Sequence, residues 1–125
     1  MRRVFMTRSF SRWLGKTDLA VEALCKAIEE MERGLVDAKL GGGIVKKRIA
    51  LPGRGKRGST RTLVATNSLD RWFFVFGFEK NDRDNIDAKE LKALKALAAD
   101  LLHLSVTQIQ NVVATNRLQE ICHEN

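Results

Sequence analysis

The chain of 125 residues contains no tyrosine, one proline, two histidines and two cysteines. Without tyrosine there is no phenol to act as acid or base, and that common catalytic group is excluded. Cys25 and Cys122 lie far apart, with no C-x-x-C or histidine spacing around them. Neither a zinc site nor a disulfide framework is indicated, and reduced thiols are the expectation. His103 and His123 lack carboxylate or cysteine at ligand spacing, so no metal and no cofactor is expected. The longest uncharged run, Leu101 to Asn116, is rich in polar side chains and falls short of the ~20 apolar residues a membrane span needs. Met1-Arg2-Arg3 opens like an export signal, but Arg8, Arg12 and Lys16 interrupt any apolar stretch, so a cytoplasmic protein is expected.

What the chain does have is ordinary globular composition, 44% apolar and 30% charged, enough to support one folded domain. Its formal net charge is +7, the balance suited to a partner bearing phosphates or carboxylates. That charge is segregated. Residues 1 to 17 hold Arg2, Arg3, Arg8, Arg12 and Lys16 and no acid. Residues 44 to 61 hold Lys46, Lys47, Arg48, Arg54, Lys56, Arg57 and Arg61, again with no acid. The remainder is acidic overall, so the pattern favours a binding surface over general basicity.

Val4 to Met6 reads as a short strand, followed by a helical turn with Ser9 or Ser11 as cap. From Asp18, apolar residues at three- and four-residue spacing up to Leu35 mark one helix. Gly41 to Gly43 break the helical pattern and open a strand, Ile44 to Leu51, ending at Pro52. Thr60 to Thr66 and Arg71 to Phe78 are further strands separated by the turn-forming Asn67 to Asp70, which together predict an antiparallel meander. Asp87 with Glu90, and Ser105 with Gln108, are capping-box pairs that start two more helices. A short apolar piece, Leu118 to Ile121, closes the pattern.

Gly53 to Gly58 spells G-x-G-x-x-G after a strand, but a strand rather than a helix follows, so a dinucleotide site is rejected. A cationic loop whose amides and side chains can face phosphates remains. Asp82, Asp84 and Asp87 begin like a calcium loop, yet Ile86 occupies a ligand position and the required glycine is missing. Strict alternation in the aromatic strand places Trp72, Phe74, Phe76 and Phe78 on one face and Phe73 and Val75 on the other. Phe78, near the strand end, is a candidate base-stacking residue. Along Ile44 to Leu51, Val45, Ile49 and Leu51 face one way while Lys46 and Arg48 face the other, ~6.6 to 7 Å apart. An antiparallel neighbour brings Arg61 close to them, and the third strand leads to Lys80 and Arg83. Like charges opposed across strands cost stability unless an anion sits between them.

The order of elements, with "KRIALPGRGKRGSTRTLVA" and "RWFFVFGFEKNDRDNI", resembles the RelE-type toxins of the RelE/ParE toxin-antitoxin superfamily, in particular a HigB-like subgroup. The resemblance covers roughly residues 1 to 102 and implies a small α+β domain: a mostly antiparallel sheet packed against N-terminal helices and a C-terminal helix. Residues 103 to 125 are expected to form a C-terminal extension on the same domain. The family implies a cognate antitoxin, expected to be a small helix-turn-helix protein, and the ribosome and its messenger RNA as partners, with no membrane.

Carried onto this chain, the resemblance implies Lys46, Arg48, Arg61 and Lys80 as catalytic residues of an endoribonuclease that leaves a 2′,3′-cyclic phosphate without a metal. Arg54, Lys56, Arg57, Phe78 and Arg83 are the candidate RNA contacts. Ile86 stands where some family members carry a tyrosine base, so Lys46 or Lys80 becomes the candidate base. The alternative is a non-catalytic inhibitor: a ParE-like gyrase poison or a basic RNA- or ribosome-binding module.

Overall fold

The computed structural model describes residues 2–52 and 59–123. In chain order the elements are β1 (Arg3–Thr7), α1 (Arg8–Leu14), α2 (Val21–Glu32), β2 (Ala38–Gly41), β3 (Ile44–Ala50), β4 (Ser59–Thr66), β5 (Arg71–Glu79), α3 (Ala88–Leu102), α4 (Val106–Ala114) and β6 (Leu118–Ile121). They form an α+β fold around a six-stranded sheet in the order β2-β3-β4-β5-β1-β6. Only the β1–β5 pair is parallel; every other neighbour is antiparallel. The expected meander is present as β3-β4-β5, and β2 extends it at one edge.

Both faces of the sheet are buried. One face carries Val4, Met6, Val45, Ile49, Val64, Trp72 and Phe74 against Phe10 and Leu14 of α1 and Leu24, Ile28 and Met31 of α2. The other carries Phe5, Ile44, Leu63, Ala65, Phe73 and Val75 against Ala98 and Leu101 of α3 and Ile109 of α4. Each fully buried large side chain contributes roughly 1.5–3 kcal/mol to stability, so the central strands are locked by hydrophobic packing on both sides.

Local signals account for most element boundaries. The capping boxes at Asp87/Glu90 and Ser105/Gln108 both form, satisfying amides left open at each helix start. α1 is capped by Thr7, whose Oγ1 accepts from the Phe10 amide at 3.2 Å; the expected Ser9 and Ser11 lie inside the helix instead. α2 ends at Glu32, so Leu35 falls outside the helix and is exposed. β2 was not foreseen: it pairs with β3 through a turn in which Gly41, Gly42 and Gly43 all have positive φ, the conformation that glycine alone adopts at little cost.

The two cysteines correct the sequence expectation. Cys25 of α2 and Cys122, just past β6, form a disulfide with Cα atoms 5.4 Å apart. β6 pairs with β1 at the edge of the sheet, and this places a residue 97 positions away beside the helix. The same flank of α2 carries Glu29 and Glu32, both paired with Arg2. Arg3 adds a two-pronged bond to Glu120 of β6, with both N···O distances 2.9 Å.

Closing a loop of this length stabilises the fold by about 3–5 kcal/mol. Reduction, or the double change Cys25→Ser with Cys122→Ser, should therefore lower the free energy of urea unfolding by that amount; an unchanged midpoint would show that the bridge constrains nothing. The Arg3 hydrogen bond holds the Glu120 carboxyl below its usual value of 4.5. A depressed carboxylate contributes stability above its unfolded pKa and loses it as pH falls through the lower folded value. Acid titration below about pH 4.5 should thus loosen β6, an effect that Glu120→Gln removes from the acid limb of a thermal-melt profile.

Candidate functional site

Main-chain register assembles the predicted cations. Arg48 of β3 lies directly opposite Arg61 of β4, which in turn lies opposite Phe78 of β5. The adjacent row on the same face is Lys46, Leu63 and Phe76. Directly opposed residues have Cβ atoms ~4.5–5.5 Å apart, and Lys46 follows Arg48's face at two-residue spacing. Beneath α3 and α4 this face is apolar, through Ile44, Leu63, Ala65 and Phe73; farther along the same strands it becomes cationic. Lys80 follows directly on Glu79, the partner of Thr60, and is exposed at the same end of the sheet.

Among the described residues, none of Lys46, Arg48, Arg61 and Lys80 makes an ion pair. The Arg61 guanidinium instead donates from Nη1 to Ser59 Oγ at 2.8 Å, which bends it back along its own strand. The Arg48 amide donates to Asp37 Oδ2 at 2.6 Å while its side chain is exposed. Lys47 shows the contrast. It points to the opposite face, is buried, and its Nζ meets Glu30 Oε1 at 3.2 Å and the Leu35 carbonyl at 2.8 Å. Of three consecutive cations, the one facing α2 has its charge compensated, and the two on the opposite face make no ion pair among the described residues.

The aromatic strand departs from its predicted alternation. A bulge in the β4–β5 pairing sets Val64 opposite Phe74 but Leu63 opposite Phe76, leaving Val75 as an extra residue. One inserted residue reverses the facing of everything beyond it. Trp72 and Phe74 share one face as expected and pack there with α1 and α2, whereas Phe76 and Phe78 cross to the face of Phe73 and of the cations. Gly77 then points at α1, where an added Cβ would sit 2.4 Å from the Trp13 ring. Phe78 is only 4% exposed, so it forms a wall beside Arg61 rather than an open stacking platform.

The remaining candidates separate. Arg83 is drawn onto α3: it pairs with Glu90, which raises its pKa above the ordinary guanidinium value, and lies 5.7 Å from the Phe76 ring centre. Arg54, Lys56 and Arg57 lie outside the described residues. Ile86 packs into the cluster beneath α3. Among the described residues no group of three or more His, Cys, Asp or Glu side chains is placed to hold a metal ion, and His103 Nδ1 is engaged with the Ala99 carbonyl at 2.6 Å. Ser59, which sequence reading did not single out, is the residue that orients Arg61. Its only sequence signal is its two-residue spacing from Arg61 on a strand.

Two guanidinium groups and an ammonium group on one face, without carboxylate partners among the described residues, have the chemistry to hold an anion with several oxygens, such as a phosphodiester. A family model described as RelE toxin of RelE / RelB toxin-antitoxin system matches residues 2–121. The match runs through β6. No curated protein matches the chain. No described helix is long and apolar enough to cross a membrane.

Holding Arg48 opposite Arg61 costs stability, by roughly 0.2–1 kcal/mol for a directly opposed like-charge pair. Arg48→Thr should therefore raise the melting temperature slightly at low ionic strength, with the gain shrinking as salt screens the repulsion. Inorganic phosphate should raise the melting temperature of the parent more than that of the variant. Equal phosphate effects would show that the pair does not bind anions.

Proposed function

The chain belongs to the RelE toxin family over residues 2–121 and is thus the toxin of a toxin-antitoxin system; from that premise we propose that it is a ribosome-dependent endoribonuclease that cleaves messenger RNA without a metal ion. The observation that carries this reading is the row of Arg48 and Arg61, with Lys46 beside it, on one face and with no ion-pair partner among the described residues. In this reading Arg48 and Arg61 grip the non-bridging oxygens of the scissile phosphate. Their charge favours the phosphorane, which carries more negative charge than the ground-state diester, so they lower the barrier and do more than bind substrate.

The ribose 2′-oxygen attacks the adjacent phosphorus and gives up its proton to a base. The bond from phosphorus to the 5′-oxygen of the next nucleotide breaks, that oxygen takes up a proton, and a 2′,3′-cyclic phosphate remains. Lys46, half-buried on β3 two residues from Arg48, is the better-placed base. Lys80, exposed at the mouth of the face, is the better-placed proton donor to the leaving oxygen. Arg54, Lys56 and Arg57 supply non-specific attraction to the RNA backbone. The ribosome positions the message in this scheme, which accords with the lack of a histidine or tyrosine among the candidate residues.

Arg61→Ala should lower the rate of message cleavage by ~10²- to 10³-fold, the usual loss when one transition-state donor is removed. Arg61→Lys should recover only part of it, since an ammonium cannot make the two-pronged contact. Mapping of 5′ ends on translated messages after induction reads both. Equal cleavage by parent and Arg61→Ala would overturn the role of Arg61. A parent that arrests growth but leaves messages uncut would favour a gyrase poison or a non-catalytic binder.

A further inference from the structure

The glycine turn between β2 and β3 is shaped around a lysine of α3. A Cβ added at Gly42 would stand 2.9 Å from Cγ of Lys95 and 3.1 Å from its Cδ, and one added at Gly41 would stand 3.3 Å from its Nζ. The Lys95 side chain therefore lies along the turn, with its stem on Gly42 and its ammonium group at Gly41. Holding a lysine in one place costs rotamer freedom, and Lys95 makes no ion pair among the described residues to offset that cost. Strand register fixes where its charge stands. Gly41 pairs with Ile44, two residues before Lys46 and four before Arg48 on the same face of β3. Lys95 thus extends the row of Arg61, Arg48 and Lys46 by about one pleat repeat, ~6.6–6.8 Å.

We propose that Lys95, cradled by Gly41 and Gly42, is a second phosphate subsite that holds the backbone of a nucleotide neighbouring the cleaved bond. The inference rests on the nuclease reading of Lys46, Arg48 and Arg61 and adds the path of the strand, which runs from the arginine pair past Lys46 to the β2–β3 turn. Four residues of β3 span roughly 13 Å, so the phosphate gripped by Arg48 and Arg61 is not the one at Lys95. The division of labour suits the side chains. An ammonium is a point charge that accepts any oxygen geometry, whereas the planar guanidinium fork makes the two-pronged contact wanted at the reacting group. A backbone contact sets the register of the strand over the catalytic cations without reading its sequence. A lysine whose stem merely covers glycine backbone while its head stays in water would bind no phosphate, and its affinity contribution would not depend on the length of the RNA.

The probes are 2′-O-methyl oligonucleotides, which lack the attacking hydroxyl and cannot be cut: a dinucleotide with one phosphodiester and a tetranucleotide with three. Binding to the full-length protein is read by NMR chemical-shift titration over a range of salt. Lys95→Gln should weaken the tetranucleotide about three- to fivefold at low salt, the loss expected for one exposed ion pair, and leave the dinucleotide unchanged. The slope of log affinity against log salt should become shallower by ~0.7. Lys95→Arg should restore binding. Gly42→Asn, with a residue that tolerates left-handed backbone, should displace the lysine stem and reproduce the loss, its melting temperature verifying the fold. Lys16→Gln, the same change of charge on an exposed residue after α1, should affect neither probe. Equal losses on both probes, no loss on the tetranucleotide, or a matching loss with Lys16→Gln overturns the subsite. So does a parent that binds the tetranucleotide no more tightly than the dinucleotide. Message cleavage is scored apart: a parent that cuts no message yet holds the tetranucleotide through Lys95 defeats the nuclease reading and keeps the subsite, and a parent that cuts messages while its binding ignores Lys95 does the reverse.

Discussion

Strand pairing commits each side chain of β3, β4 and β5 to one of two faces, and everything at the candidate site follows from that commitment. Because helices bury both faces, a strand cannot slip by one residue without exposing an entire apolar set. The packing of Ile44 and Leu63 under α3, and of Val45, Ile49 and Val64 under α1 and α2, therefore holds Lys46, Arg48 and Arg61 where they are. Repulsion between Arg48 and Arg61 is small against several buried aliphatic and aromatic side chains. The core can hold like charges together, and that is what makes a concentrated positive surface possible.

The bulge at Val75 serves the same end by another route. Upstream of it, Trp72 and Phe74 contribute to the core under α1 and α2; downstream, Phe76 and Phe78 line the cationic side. Gly77 lies between those two phenylalanines and lets Trp13 approach the strand so closely that a Cβ would not fit. One extra residue thus divides an aromatic strand into a structural half and a half that walls the site.

The C-terminal segment joins the sheet. Where sequence reading saw only a short apolar piece, β6 pairs with β1, and Arg3–Glu120 and the Cys25–Cys122 bridge fasten it. Those contacts also build one wall of a groove between α1, α3, α4 and β6, because Leu118 begins β6 and Arg117 immediately precedes it. The groove and the cationic face occupy different sets of residues.

Periodicity and local chemistry were legible directly. The two capping boxes, the amphipathic α2 and α3, the strand alternation that separates Lys46 and Arg48 from Val45 and Ile49, and the segregation of charge are all short-range patterns. Long-range choices were not. No rule of spacing pairs Cys25 with Cys122, makes β1 run parallel to β5, extends the sheet with the four-residue β2, or inserts a bulge opposite Leu63 and Val64. Each depends on which surfaces meet after collapse, and several pairings of short strands satisfy the same local preferences. Amino-acid order by itself determined the elements, their apolar faces and the supply of cations; tertiary packing decided which cations share a face, because only the register between strands distant in sequence sets what stands opposite what.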